Sequence, residues 1–563
     1  MKSTFHAILL LSLICGYVSY TTGRKLTRRE LSFSKDDYLN YVRYYSSHQT
    51  SEPLRRFDGN NGKLFLLAKG AEILAGELSK DDKITCHLRQ IINVTEVDGN
   101  STYKFTILVE DESDDRTFQA EVLAQLSYSS EGSAIVADIH SIDTTEPLAG
   151  VCDQISSLSK CTECINFGRC SKGHVPIDRW LDFALKTQRE IQIHKPFPDV
   201  QFLAGHNAFN NRADMYGVLD DCKWPPPYNK AWLCLANQEL SLTDMLNIGV
   251  HALELDPWWC FNKLRLSHAH KRAVGCSPLD RPFFLGIKEI GEWVKDPRNK
   301  GKVIRIYFED GEEHTEGHDD LINGPIQEYV EPFVFTPSDL KETFNGNWPS
   351  MGELRKLDKT VIFAGDGNCT HGGKYIHEAY WEQFPVNMFT PYPHCGGRNL
   401  SVTRRYYSDS TNYGPFWNGP KKTGVILDFS EYAKCRVGYP AADQLNPVML
   451  RSAIYTWAEG EPSTNLTQST CIYIGGRDGR WHVAKNCTTS MHSACSRKKH
   501  GDVWTISSTK GPSGDQGQCP EGYRFDVPND GYKRQKLMES MKKQDVWINV
   551  KPFLPLLMTE NIL

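Results

Sequence analysis

Beyond residue 20 this 563-residue chain has no apolar run approaching the ~20 residues that a bilayer-spanning helix needs, so no transmembrane segment is expected. It also lacks an excess of charge of either sign. Its 64 Lys and Arg stand against 69 Asp and Glu, a net charge of −5, which gives no bulk electrostatic case for binding nucleic acid. The last residues, "NVKPFLPLLMTENIL", do not make a lipid-anchor signal. Apolar residues are not scarce: 40% of the chain is hydrophobic and 11% aromatic, which excludes wholesale disorder. At ~100–200 residues per domain, the length suggests two to four domains.

Lys2 is followed by the apolar "AILLLSLICGYV" (7–18) and then by small and polar residues. This pattern reads as a cleaved secretory signal over residues 1–23 and predicts an extracellular protein. Cys15 leaves with it, so 16 of the 17 cysteines remain, an even number expected to be largely bridged. Six N-x-S/T sequons, at Asn93, Asn100, Asn368, Asn399, Asn465 and Asn486, agree with secretion and predict a glycoprotein.

Residues 24–150 read as an α+β module. Helical spacing over 62–79 is followed by four alternating stretches expected to be antiparallel strands. The pattern faintly resembles a cystatin-type domain, although no inhibitory loop is recognisable. Residues 151–198 form a connector holding Cys152, Cys161, Cys164 and Cys170. In a secreted chain this reads as a disulfide staple rather than a zinc or redox C-x-x-C. From 199 to 461 short apolar strands alternate with helical segments, which predicts an α/β fold with a parallel sheet. The candidate strands are "DVQFLAGHNA", "GVHALELDPWW", "KLRLSHAH", "KVIRIYFED", "KTVIFAGDG", "TGVILDFS" and "RSAIYTWAEG". Their number favours a (β/α)8 TIM-type barrel over a doubly wound sheet. Residues 462–563, rich in Cys and Trp, are expected to form a disulfide-rich C-terminal appendage.

In a barrel of this kind chemistry sits at the C-terminal ends of strands. Here those ends carry His206 and Asn207, Glu254 and Asp256, His268 and His270, and Glu309 and Asp310. Glu254 and Asp256 are two apart and so share one face. Any one of these residues could be an ordinary solvated or core group. Together they bring carboxylates into one region, where they repel unless a positive charge lies between them. Three carboxylates and an amide oxygen suit a hard cation, Ca²⁺ ahead of Mg²⁺, because Mg²⁺ demands near-octahedral geometry. Two histidines beside such a cation suggest acid–base work on an oxyanion.

"GHNAF", "NQELSLTDMLNIGVHALELDPWW", "LSHAH" and "VIRIYFED" resemble, in order, the X region of phosphoinositide-specific phospholipase C. The absence of pleckstrin-homology, EF-hand, C2 and Y-region patterns makes the chain more similar to secreted, X-domain-only phosphodiesterases. The resemblance implies His206 and His268 as the acid–base pair, with His270 a possible substitute for His268. It implies Asn207, Glu254, Asp256 and Glu309 as metal ligands. Metal-free bacterial members carry Arg at the position of Asp256, so this chain resembles the metal-dependent branch. The implied substrate is a phospholipid or related phosphodiester, met at a membrane surface. Arg305, Lys271, Arg272, Arg404 and Arg405 are candidate headgroup contacts. Glycerophosphodiesterases and sphingomyelinase D-like enzymes share the barrel and the E-x-D pair and are the nearest alternative. A non-catalytic binding protein on the same scaffold, or protease inhibition through the N-terminal module, stands further off.

Overall fold

A computed structural model describes, of the N-terminal third, the strands Arg29–Ser32, Cys86–Glu96, Thr102–Asp111, Thr117–Tyr128, Ala134–Thr145, Cys164–Ile165 and Arg169–Cys170. It further describes residues 172–176, 178–211, 213–214, 217–218, 237–238, 240–260, 263–267, 280–309, 319–365, 374–378, 390–397, 400, 404–406, 429–443, 445, 447–514 and 519–558. The expected helix over 62–79 lies outside the described residues, as do His268, His270, Asp310, Lys271 and Arg272.

The four long strands expected between residues 86 and 145 pair antiparallel as a meander, Cys86–Glu96 with Thr102–Asp111, then Thr117–Tyr128, then Ala134–Thr145. Arg29–Ser32 adds antiparallel to the last of these, and Gly217–Val218 adds parallel to the first.

Seven strands of the central region hydrogen-bond in a row, in the order Ile376–Glu378, Val361–Gly365, Ile304–Phe308, Ala252–Leu255, Ala204–Gly205, Val437–Ala442, Arg404–Tyr406, every pair parallel. The expected closed (β/α)8 barrel is therefore corrected. Among the described residues the sheet is open, with Ile376–Glu378 and Arg404–Tyr406 at its two ends and no ladder joining them. Strand–helix alternation dictates a parallel sheet, but it carries no information on whether the end strands meet. Two assigned strands are corrected as well. Lys263–Leu266 is the second arm of an antiparallel hairpin with Pro257–Cys260, not a member of the parallel sheet. Its period-2 pattern is the same in either setting. "RSAIYTWAEG" begins as the end of the helix Pro447–Ser452 and continues as irregular chain. The strands Ile376–Glu378, Arg404–Tyr406 and Val437–Ala442 are short or weakly apolar, and their sequence does not announce them.

The central strands are buried throughout, Ile304–Phe308 and Val361–Gly365 at every position, as parallel strands covered on both faces must be. Alternation sorts their side chains. Leu253, Leu255, Ile304, Ile306, Phe308, Val361 and Phe363 pack with Ile287, Ile290 and Trp293 of the helix Phe283–Lys295. Ala204, Ala252, Ile362 and Ala441 share a second cluster with Phe197, Phe202 and Phe335. The helix Phe283–Lys295 approaches Asp319–Tyr329 so closely at Gly291 that a Cβ there would lie 2.7 Å from the Tyr329 carbonyl oxygen. Backbone cannot swing away as a side chain can. Gly291→Ala is expected to cost about 1–3 kcal/mol, the usual penalty for overpacking, read as a lowered melting temperature.

The C-terminal segment carries a sheet of Ile472–Ile474, Trp481–Val483, His492–Arg497, His500–Ile506, Tyr523–Phe525 and Val546–Trp547, with the helix Gly531–Met541. Disulfides Cys471–Cys487 and Cys495–Cys519 tie it internally, and Cys395–Cys435 ties a loop to the approach of the strand Val437–Ala442. Among the described residues these three bridges bear out disulfide bonding, and they account for six of the 16 cysteines expected to pair. Fully buried Trp457 joins this segment to the rest: its ring packs on Trp481 and Phe183, and its indole N–H donates to Thr187 Oγ1 at 2.8 Å. Lys195 and Asp530 form a buried ion pair of 2.7 Å across the same junction. No described helix is long and apolar enough to cross a membrane.

A candidate acid–base site at the strand ends

Four neighbouring strands end at one edge of the parallel sheet, and the residue just past each end is polar. Asp443 follows Val437–Ala442, His206 follows Ala204–Gly205, Asp256 follows Ala252–Leu255, and Glu309 follows Ile304–Phe308. The ladder sets their order. The His206 N–H donates to Ala442 O (3.2 Å), the Ala208 N–H to Glu254 O (2.9 Å) and the Glu309 N–H to Leu255 O (3.1 Å). With strands ~4.8 Å apart, Glu309 stands about two strand widths from His206.

His206 is completely buried, and its Nδ1 lies 2.7 Å from Asp443 Oδ1. A carboxylate can only accept at neutral pH, so it fixes the proton on Nδ1 and leaves the lone pair on Nε2. Asn207 Nδ2 lies 3.2 Å from that Nε2 and donates to it. The same Asp443 oxygen accepts a second bond, from Asn237 Nδ2 at 2.8 Å, and Asn237 Oδ1 in turn accepts from Asn210 Nδ2 at 2.6 Å. Gln238 braces the backbone beneath, donating to His206 O at 2.7 Å and Ala442 O at 2.8 Å.

Asn207 has φ +43°, the left-handed region that Asn tolerates better than most residues. The turn brings its amide back over His206, and buried Asn207 Oδ1 accepts no hydrogen bond among the described residues. The loop that follows is held from outside. Asn211 Nδ2 donates to Ala208 O (3.0 Å) and Asp214 Oδ2 (2.7 Å), Arg281 reaches the same Asp214 oxygen at 2.8 Å, and Arg281 also meets Glu289 at 2.6 Å. Burial alone would raise the Glu289 carboxyl. Arg281 and Lys172, with hydrogen bonds from Arg281 and Thr243, instead pull it from 4.5 down to about 2. A folded-state value below the unfolded one contributes stability above pH 4.5, and that contribution disappears as pH falls toward 2. Thermal melts should therefore show Glu289→Gln well below the parent at pH 7 and the gap narrowing steadily below pH 4.5.

The ladder thus puts His206, Asn207, Glu254 and Asp256, all buried, and half-buried Glu309 at the same end of three neighbouring strands. His268 lies outside the described residues, but the N–H of Ser267, immediately before it, donates to Asp256 O at 3.0 Å, so the hairpin returns to this edge. Arg305 sits one layer deeper, 1% exposed, its guanidinium 5.6 Å from the Tyr307 ring. It is a core cation of the sheet, not a surface contact. Arg404 and Arg405 lie on the end strand. Sequence reasoning missed Asp443 and Asn237. Asp443 ends a strand that was not recognised, and the only signal for Asn237 was its place ahead of Gln238 in the quoted motif.

Asn207, Glu254, Asp256 and Glu309 offer oxygen donors at this edge, and the buried Asn207 Oδ1 is of the type a hard cation takes. Among the described residues no three His, Cys, Asp or Glu side chains are drawn into a closed metal cage.

Comparison with known proteins gives two relatives from Mycobacterium tuberculosis, the uncharacterized proteins MT2135 and Rv2075c. Each is 24% identical over 380 residues, covering 59% of this chain and 71% of the relative. A third, the maintenance of telomere capping protein 6 of the yeast Meyerozyma guilliermondii, is 23% identical over 195 residues, 28% of this chain and 34% of that protein. No family model matches the chain, and no solved structure matches it.

Proposed function

We propose that the chain is a phosphodiesterase of the phospholipase C kind, acting on a phospholipid or related phosphodiester. The observation that supports this most is His206, buried at a strand end with Nδ1 on Asp443 and Nε2 beside the Asn207 amide, at the sheet edge where the neighbouring strand ends in Glu254 and Asp256. A neutral imidazole held in that tautomer is a general base. In the reaction, Nε2 takes the proton of the attacking hydroxyl, which displaces the Asn207 amide from it. Asp443 stabilises the imidazolium that forms. His268 is the second acid–base group in this reading and protonates the leaving alcohol. Asn207, Glu254, Asp256 and Glu309 would hold Ca²⁺, which when bound neutralises charge on a phosphoryl oxygen. Excluding water from such an edge strengthens each of these interactions.

The disulfides and the absence of a spanning helix among the described residues are compatible with secretion, and we propose an extracellular site of action. The test is to incubate the protein with mixed phospholipids and identify the water-soluble products by mass. A phosphorylated or cyclic-phosphate headgroup supports the phospholipase C reading. A free headgroup alcohol with phosphatidate left in the lipid phase assigns the sphingomyelinase D-like alternative instead.

A further inference from the structure

A second feature lies near the start of the strand Val437–Ala442, whose other end carries Asp443. The strands His492–Arg497 and His500–Ile506 form a hairpin whose tip is Arg497, Lys498, Lys499 and His500, all exposed, and among the described residues none of the four is ion-paired. The tip is rigidly mounted. Cys495 is bridged to Cys519, and the Lys498 N–H donates to Gly522 O at 3.0 Å. Arg524, 61% exposed, extends the basic surface from the adjoining strand, although Asp526 meets it at 3.0 Å, and Glu521 is the exposed acid nearby. Like charges crowded at a turn repel one another and contribute nothing to folding. On a chain of net charge −5 they form a local positive field against the overall sign.

Position decides what such a field serves. Asp502, two residues from the tip, pairs with Arg436, the residue before the strand Val437–Ala442, whereas Asp443, the residue after that strand, holds His206. Seven residue steps at ~3.3 Å each separate Arg436 from Asp443 by ~23 Å, which puts the hairpin at the other end of this strand from His206. A surface that seats an enzyme on a bilayer must turn the reactive edge toward the lipid, and this one turns it away. Disulfides belong to oxidising compartments, where nucleic acid is not the polyanion at hand. We infer that the tip formed by Arg497, Lys498, Lys499 and His500 is a docking site for a sulfated polysaccharide, holding the protein at an extracellular matrix with its strand-end edge free. The inference rests on the proposed extracellular site of action and on the His206 edge being the reactive one, not on which phosphodiester is cleaved there.

The test uses the full chain on immobilised heparin, alongside sedimentation with phosphatidylserine–phosphatidylcholine vesicles and a double-stranded DNA retention assay. The parent should be retained and elute only at about 0.3–0.5 M NaCl, where screening confines charge to a few ångströms. A triple variant, Arg497→Ser with Lys498→Ser and Lys499→Ser, should pass through, with unchanged melting temperature and unchanged turnover. An exposed turn tolerates these changes, and single Lys498→Ser and Lys499→Ser variants with graded elution guard against misfolding of the triple. Passage of the parent through the column, or co-elution of parent and triple variant, overturns the inference. So does tip-dependent binding to vesicles or DNA in the absence of heparin retention.

Discussion

His206→Gln is expected to lower turnover of a phosphodiester substrate about 10²–10⁴-fold, the usual contribution of a general acid–base group. His206 is completely buried, so Gln is chosen to limit the void that Ala would leave. Asp443→Asn should cost a comparable factor with little loss of fold, because an amide nitrogen opposite Nδ1 no longer selects the tautomer that leaves Nε2 unprotonated. The decisive readout is the double variant. Groups that act as a unit lose their effect together, so the double should be no slower than the worse single. Rate losses that multiply would assign the two residues separate, structural roles. Retention of more than a tenth of parental activity by His206→Gln would remove this histidine from the chemistry.

The second large effect concerns the metal. Chelation should abolish activity and lower the melting temperature together, because a ligand bound only by the folded state stabilises it by mass action, about 3 kcal/mol at a hundredfold excess over Kd. Ca²⁺ should restore both better than Mg²⁺, since Ca²⁺ tolerates an irregular shell of oxygen donors while Mg²⁺ demands near-octahedral geometry. Asp256→Asn should imitate chelation and blunt the response to added Ca²⁺. The thermal readout is independent of turnover. A chelator that leaves melting temperature and activity unchanged, with Asp256→Asn equal to the parent, would exclude the metal-dependent reading.

What the sequence made legible follows from what sequence periodicity encodes. Alternating patterns located the antiparallel strands between residues 86 and 145, and buried apolar runs located Ala252–Leu255, Ile304–Phe308 and Val361–Gly365. Polar residues closing such runs pointed to His206, Glu254, Asp256 and Glu309, and the ladder places all four at one edge. The closure of the sheet was not legible, because a barrel and an open sheet share the same local pattern. Lys263–Leu266 misled for a related reason: pairing partner and direction are decided by chain reversal at Cys260, not by the strand's own side chains. Asp443 was hidden because "VGYPAA" has neither an apolar run nor clean alternation, yet its strand completes the site from the far side of His206.

The most direct test of the central claim is phosphorus NMR of mixed phospholipid vesicles incubated with the protein and Ca²⁺. The account predicts that a diester resonance decays while a monoester or cyclic-phosphate resonance grows, and that His206→Gln, melting near the parent, leaves the spectrum almost unchanged. A diester signal untouched by the parent protein across the lipid classes, or consumed equally by His206→Gln, would contradict it.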